Sequence, residues 1–376
     1  MWCFIFGAVF MLVSAFPSPA HEARWEQAKD LAASLDDRRL AAQVIMTGID
    51  GRGSLGSAMA DILRDVPAGA LMLFRYNLTV SKEEVRSFLS DCGEFIGGLA
   101  GIPPFIAVDH EGGSVHRFGA GVEKLPPALH WGEQAQTLGR EAALAGLEEA
   151  AGRSAREIHD LGVNLNLAPV AEILNDDNRA FLDDRSFGPD AEFTAAASAV
   201  FVKAMEEAGV GCVAKHFPGN SAADPHSVQS VIAGGRDAVD AMAAPFAVLG
   251  ASGLAGIMVS HALIPARDPA VIASLSPAVM GDWLRGEMGF EGFILADDFS
   301  MAGASVRELS PEAAAVISLA AGADMVMAWP GNLRSLHREI LSAMKQGRLP
   351  RERLEEAAAR IIAAKLALGI IKIEAE

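Results

Sequence analysis

Cysteine is nearly absent: Cys3, Cys92 and Cys212 are the only three in 376 residues. Their spacing matches no zinc or redox motif and leaves no disulfide framework. Basic charge is also short. Against 48 Asp and Glu stand 31 Lys and Arg, a net charge of −17, which argues against nucleic acid and anionic membrane surfaces as partners. No Pro/Gly/Ser-rich linker divides the chain, so a single domain is expected. No Gly-rich loop follows an early strand, which removes the signature of a dinucleotide- or phosphate-binding open sheet. No site for a metal, nucleotide or flavin is visible, and no cofactor is expected. Beyond the first residues, no apolar stretch is long enough to span a bilayer.

What is present begins with an apolar N-terminus. Residues 1–15 are nearly all apolar, and Ser18-Pro19-Ala20 offers a small-residue cleavage site before His21. This is the layout of a secretory signal, and it is short for a membrane span. No Lys or Arg precedes the apolar run, no small-residue-Gly-Cys lipid signal follows it, and Cys3 lies too early to carry a lipid after cleavage. The expectation is a leader over residues 1–20, one folded domain over 21–370, and export to the periplasm or the medium. An uncleaved leader would act as a membrane anchor.

With 51% apolar residues the chain can build a sizeable core. From residue 40 onward short apolar runs alternate with longer helical patterns. The runs cover 42–47, 69–74, 104–109, 163–170, 211–215, 256–261, 293–297 and 324–329. They are rich in Val, Ile, Leu, Met and Ala without clean alternation, as strands buried on both faces are. Helical patterns fill 141–159, 191–207, 236–249, 276–287 and 311–321, and Ser81 with Glu84 forms a capping box that opens another. Eight strand–helix alternations predict an α/β fold of the (β/α)8 TIM-barrel type. A last helix over 349–368 closes the base or side of the barrel, with Arg351, Arg353, Arg360 and Lys365 read as its solvated face.

Barrel active sites form where strands end. The third strand ends in Asp109-His110-Glu111-Gly112-Gly113, followed by His116 and Arg117. The fourth leads to Glu172 and to a loop carrying Arg185-Ser186-Phe187-Gly188. The fifth ends in Lys215-His216-Phe217-Pro218-Gly219-Asn220, with Asp224 and His226 two apart beyond it. The sixth ends in Ser260-His261 and the seventh in Asp297-Asp298-Phe299-Ser300-Met301. Each alone could be a rim residue in a structural ion pair. Together, five strands bring Asp, Arg, Lys, His and Asp to one face, more charge than a rim needs. Asp224 is spaced to orient and charge-stabilise the His226 imidazole; the other reading of that segment is a polar loop capping a strand. Glu111 and Asp298 each follow a site residue and are read as structural, pointing away.

These motifs resemble glycoside hydrolase family 3, and most closely its single-domain bacterial β-N-acetylglucosaminidases of cell-wall recycling. The segments that carry the likeness are Asp109-His110-Glu111-Gly112-Gly113, Asn166-Leu167-Ala168-Pro169-Val170, Arg185-Ser186-Phe187-Gly188, Lys215-His216-Phe217-Pro218-Gly219, Val259-Ser260-His261 and Asp297-Asp298-Phe299-Ser300-Met301. The resemblance implies a retaining exo-glycosidase that removes terminal β-linked N-acetylglucosamine from peptidoglycan or chitin fragments through a covalent glycosyl-aspartate. It implies Asp297 as nucleophile, His226 as acid/base and Asp224 as its partner. It implies that Asp109, Arg117, Arg185, Lys215 and His216 hold the sugar's hydroxyls.

The chain departs from the family pattern at defined places. Asn220 and Ser221 stand where His-Gly is usual, the loop to His226 is about two residues shorter, and Pro225 replaces a Ser. Ala296 replaces the Ser before the nucleophile, and Glu172 stands where Asp is common. Two other functions fit the same residues: a β-glucosidase-like hydrolase or β-N-acetylglucosaminide phosphorylase, and a non-catalytic sugar-binding barrel. A histidine acid repels an anionic acceptor less than a carboxylate does, which keeps phosphate open as an acceptor.

Overall fold

In this computed structural model, residues 19–119, 121–221, 229–301 and 309–372 are described. Residues 1–18, most of the leader expected over 1–20, lie outside them, and so do Asp224 and His226. Among the described residues there are ten strands: β1 (Ile45–Gly48), β2 (Ala70–Leu73), β3 (Phe105–Val108), β4 (Leu165–Asn166), β5 (Gly211–Phe217), β6 (Gly256–Val259), β7 (Leu263–Ile264), β8 (Asp268–Ile272), β9 (Phe293–Ala296) and β10 (Val326–Ala328). Eight of them form one parallel sheet in the order β10-β1-β2-β3-β4-β5-β6-β9. A parallel bridge between Leu295 and Met325 joins its two ends, and the sheet closes as a barrel. Every residue of β1, β2, β3, β5, β6 and β9 is buried. That two-sided burial is why the sequence runs are continuous rather than alternating.

The eight expected strands all occur. The fourth is shorter than its apolar run, because Pro169 has no N–H to give to the ladder; pairing resumes beyond it with the Val170–Lys215 bridge. The helix opened by Ser81 runs Lys82–Ala100, with the capping box formed. Pro311–Ala321 is capped by Ser310, with Pro311 in the first turn. The single helix expected over 236–249 is two, Arg236–Met242 and Ala244–Gly250, broken ahead of Pro245. The Ala278–Glu287 segment is wound as a π-helix. The helices expected over 141–159 and 191–207 run Arg140–Asp160 and Ala191–Glu206. The described residues also hold the antiparallel β7–β8 hairpin and the helices Pro19–Ser34, Asp37–Gln43, Ser57–Asp65, Ala128–Thr137, Arg179–Leu182 and Leu333–Lys345.

The base of the barrel corrects the solvated-face reading of the last helix, Arg351–Ala367. Lys365 is fully buried; its Nζ donates to the Gly69 carbonyl at 2.9 Å and lies 5.2 Å from the Phe105 ring centroid. Gly69 is required there, since a Cβ would sit 2.0 Å from the Gln43 carbonyl oxygen. Arg353 turns inward to the buried Asp324 at 2.6 Å and to the Ala323 carbonyl at 2.8 Å. Arg360 reaches the same Asp324 at 4.0 Å and Glu356 at 2.6 Å. Arg351 pairs with Asp37 and Glu355. The basic residues tie the helix to the barrel floor, leaving the opposite end of the strands open for chemistry.

Candidate active site

The site grows from the carboxyl ends of β3, β4, β5, β6 and β9. After β3 the chain turns at Gly112 (φ +95°) and Gly113 (φ +54°), where a Cβ would meet the Pro126 carbonyl at 2.3 Å and the Asp184 carboxylate at 2.5 Å. That turn corrects the reading of Glu111 as pointing away. Its carboxylate is buried among the site cations, 2.8 Å from Arg185 Nε, 3.0 Å from Arg185 Nη2 and 2.7 Å from Lys215 Nζ. Lys215 Nζ also lies 2.6 Å from Asp109 Oδ1, and Arg117 reaches the other Asp109 oxygen at 3.5 Å. Five charged side chains from the third to fifth strand ends thus form one network. Burial would raise the Glu111 carboxyl, but the Lys215 and Arg185 charges hold it well below the usual carboxylate range. Burial would likewise lower the Lys215 amine, and Asp109 and Glu111 raise it instead. Lys215 therefore stays charged although it is 3% exposed.

In β5 the pairing to β6 slips between Ala214 and Phe217, and such a bulge re-aims side chains. Lys215 and His216 are neighbours in sequence yet serve adjacent parts of the same face. His216 Nδ1 lies 2.7 Å from the buried Glu172 carboxylate. That carboxylate also accepts from Asn220 Nδ2 at 3.3 Å on each oxygen.

Asp297 follows β9. Its backbone N–H donates to Val259 in β6 at 3.2 Å, and the Asp298 N–H donates to its carboxylate at 2.8 Å. Burial would raise this carboxyl, but His216, His261, the Asp298 N–H and Lys215 together hold it below its ordinary value. An anionic carboxylate at a strand tip can attack an electrophilic carbon and later leave. Asp298 turns away as expected: its carboxylate accepts from Ser300 and from Trp329 Nε1 at 3.0 Å.

His261 is committed to the framework. Its Nε2 donates to the Asp298 carbonyl at 3.0 Å, which leaves Nδ1 to accept from Ser274 Oγ at 2.7 Å. Burial lowers its pKa, and the bond to the Asp298 carbonyl pins the Asp297–Asp298 backbone. His110 is buried behind the site against Ser154 at 2.7 Å, and burial and the nearby His116 bring its pKa down to about 3.

The structure thus brings Asp109, Arg117, Arg185, Lys215, His216 and Asp297 to one end of the barrel, with Glu111, Glu172 and Asn220 added. The signal for Glu111 was the Gly-Gly turn after it, and for Glu172 and Asn220 their departure from the family pattern. Among the described residues, no group of three or more His, Cys, Asp or Glu is arranged to hold a metal ion.

Comparison with known proteins gives a consistent picture. Residues 39–364 match the family model described as the glycosyl hydrolase family 3 N terminal domain. A beta-hexosaminidase of Methylococcus capsulatus is 36% identical over 269 residues, 69% of this chain and 75% of its own. A family 3 beta-N-acetylglucosaminidase from Paenibacillus sp. strain FPU-7 superposes with a TM-score of 0.84 at 27% identity; the match covers 91% of this chain and 64% of that one. NagZ from Neisseria gonorrhoeae, solved with N-trifluoroacetyl-D-glucosamine, gives a TM-score of 0.71 at 26% identity, covering 86% of this chain and 98% of that one.

Proposed function

The chain belongs to glycosyl hydrolase family 3, and from that premise we propose that it is a retaining β-N-acetylhexosaminidase releasing terminal β-linked N-acetylglucosamine. The observation that carries the reading is Asp297, held anionic at the tip of β9 within the field of His216, His261 and Lys215. In this reading the Asp297 carboxylate attacks the anomeric carbon while His226 protonates the departing oxygen. Water, deprotonated by the same imidazole, then breaks the glycosyl ester and restores the carboxylate. Asp224 supports that imidazole. Asp109, Arg117, Arg185, Lys215 and His216 grip the hydroxyls and hold the ring in line for attack. The M. capsulatus relative is a beta-hexosaminidase and the N. gonorrhoeae structure holds an N-acylated glucosamine, which supports this choice of sugar. Peptidoglycan and chitin fragments are the substrates proposed.

Assays with aryl β-N-acetylglucosaminide and aryl β-glucoside, each with and without phosphate, test it. The proposal requires faster release from the N-acetylated sugar and no glycosyl phosphate. Preferential turnover of the glucoside, or a phosphorylated product, would replace it with the corresponding alternative. Export through the leader at 1–20 is part of the same proposal. Mass spectrometry of chain recovered from its native host tests it, a mature N-terminus at His21 being the result expected.

A further inference from the structure

Glu172 and Asn220, two of the positions at which the sequence departs from the family pattern, meet in space. Glu172 follows β4, and Asn220 follows β5. The Glu172 carboxylate is 1% exposed and is surrounded by donors: His216 Nδ1 at 2.7 Å, the His216 backbone N–H at 3.4 Å, and Asn220 Nδ2 at 3.3 Å to both oxygens. Its own backbone is fixed by Ser186 Oγ, which donates to the Glu172 carbonyl at 2.6 Å. A carboxylate only accepts, so His216 carries its proton on Nδ1 and turns Nε2 away from Glu172. Nε2 is the nitrogen left for the site.

We propose that Glu172 and Asn220 are a coupled positioning pair that sets the tautomer and ring orientation of His216 for substrate binding. This rests on the reading of His216 as a sugar-binding residue. Size explains the coupling. The surroundings are close-packed: a Cβ added at Gly219 would meet Met242 Sδ at 2.8 Å and Glu172 Oε2 at 3.7 Å. A glutamate fills the space up to a short amide. An aspartate at 172 would fall one methylene, about 1.5 Å, short of one of its two partners, and a larger ring at 220 would fill that gap. The two departures are thus one exchange of length between facing side chains.

Glu172→Asp, Asn220→His and the double variant test this, assayed on an aryl β-N-acetylglucosaminide beside thermal unfolding. Each single change is expected to lower kcat/KM by about ten- to a hundredfold, as loss of an imidazole's orienting partner does. The double variant is expected back within about threefold of wild type, a strong non-additivity. All folded variants should melt within a few degrees of wild type. A low-field proton resonance of the His216 Nδ1–H, assigned by its loss in His216→Asn, should be present in wild type and shifted upfield in Glu172→Gln. Single variants with wild-type kcat/KM, or a double variant with the summed loss of both, would overturn the pairing. If wild type cleaves no β-N-acetylglucosaminide, the functional reading fails, while the resonance still decides the pair: no change in Glu172→Gln overturns it.

Discussion

Glu111 meets Arg185 through two hydrogen bonds, 2.8 Å to Nε and 3.0 Å to Nη2, and the carboxylate has almost no contact with solvent. This fork geometry is the strong form of the carboxylate–guanidinium pair. It ties the loop after β3 to the loop after β4 and leaves the Lys215 amine shared between Glu111 and Asp109. Removing the carboxylate leaves the buried Arg185 without its partner and Lys215 with Asp109 alone. Glu111→Ala should therefore cost about 3–5 kcal/mol of unfolding free energy. Urea denaturation checks this; a loss below about 1 kcal/mol would show that the pair is no more than a surface contact.

Glu206 sits at the end of the helix Ala191–Glu206, its carboxyl raised by burial to about 7 with partial relief from the Ala255 N–H. The unfolded chain loses this proton near 4.5, the folded chain only near 7. Between those values the folded state binds more protons, so stability falls as pH rises through the window, by on the order of 3 kcal/mol. Glu206→Gln should flatten the Tm profile from pH 4.5 to 8. A variant with the wild-type slope would contradict this.

Lys365 works in the opposite direction. Burial pushes its amine well below the ordinary lysine value. Below about pH 10.4 the unfolded chain binds a proton that the folded chain resists, so this group makes stability rise with pH toward that value. Lys365→Met removes the term, and its stability should rise less between pH 7 and 10 than that of wild type. Parallel chemical-denaturation curves at four pH values provide the comparison. Equal slopes would mean that the amine is charged in the fold.

His226 should affect the two chemical steps unequally. A natural disaccharide needs its leaving oxygen protonated, and His226→Ala should slow that substrate by orders of magnitude. A nitrophenyl glycoside needs little protonation, so its first step should survive and a pre-steady-state burst should appear. Azide should then rescue turnover as a β-glycosyl azide. An equal loss for both leaving groups would give His226 a structural role. His261 could not take its place, because both its ring nitrogens are engaged.

The barrel was legible because its strands are buried on both faces, so their runs are long, apolar and regularly spaced. The β7–β8 hairpin was not, since Leu263–Ile264 and Asp268–Ile272 carry no such run. Asp109, Arg117, Arg185, Lys215, His216 and Asp297 were legible as residues at strand ends, where direction along the chain already implies the open face. Glu111 was misread because closeness to Asp109 in sequence says nothing of side-chain direction where two glycines with positive φ follow at once. Lys365 and Arg353 were misread for a related reason: a helix shows its charges in sequence, not the buried Asp324 and Gly69 carbonyl that receive them.

The central claim is that Asp297 forms a covalent bond to the sugar. Incubation with 5-fluoro-β-N-acetylglucosaminyl fluoride, followed by proteolysis and tandem mass spectrometry, reads it directly. The account predicts time-dependent inactivation with one sugar bound on the Asp297 carboxylate, and no label in Asp297→Ala. A sugar found on Asp298, or steady hydrolysis by Asp297→Ala at the wild-type rate, would contradict it.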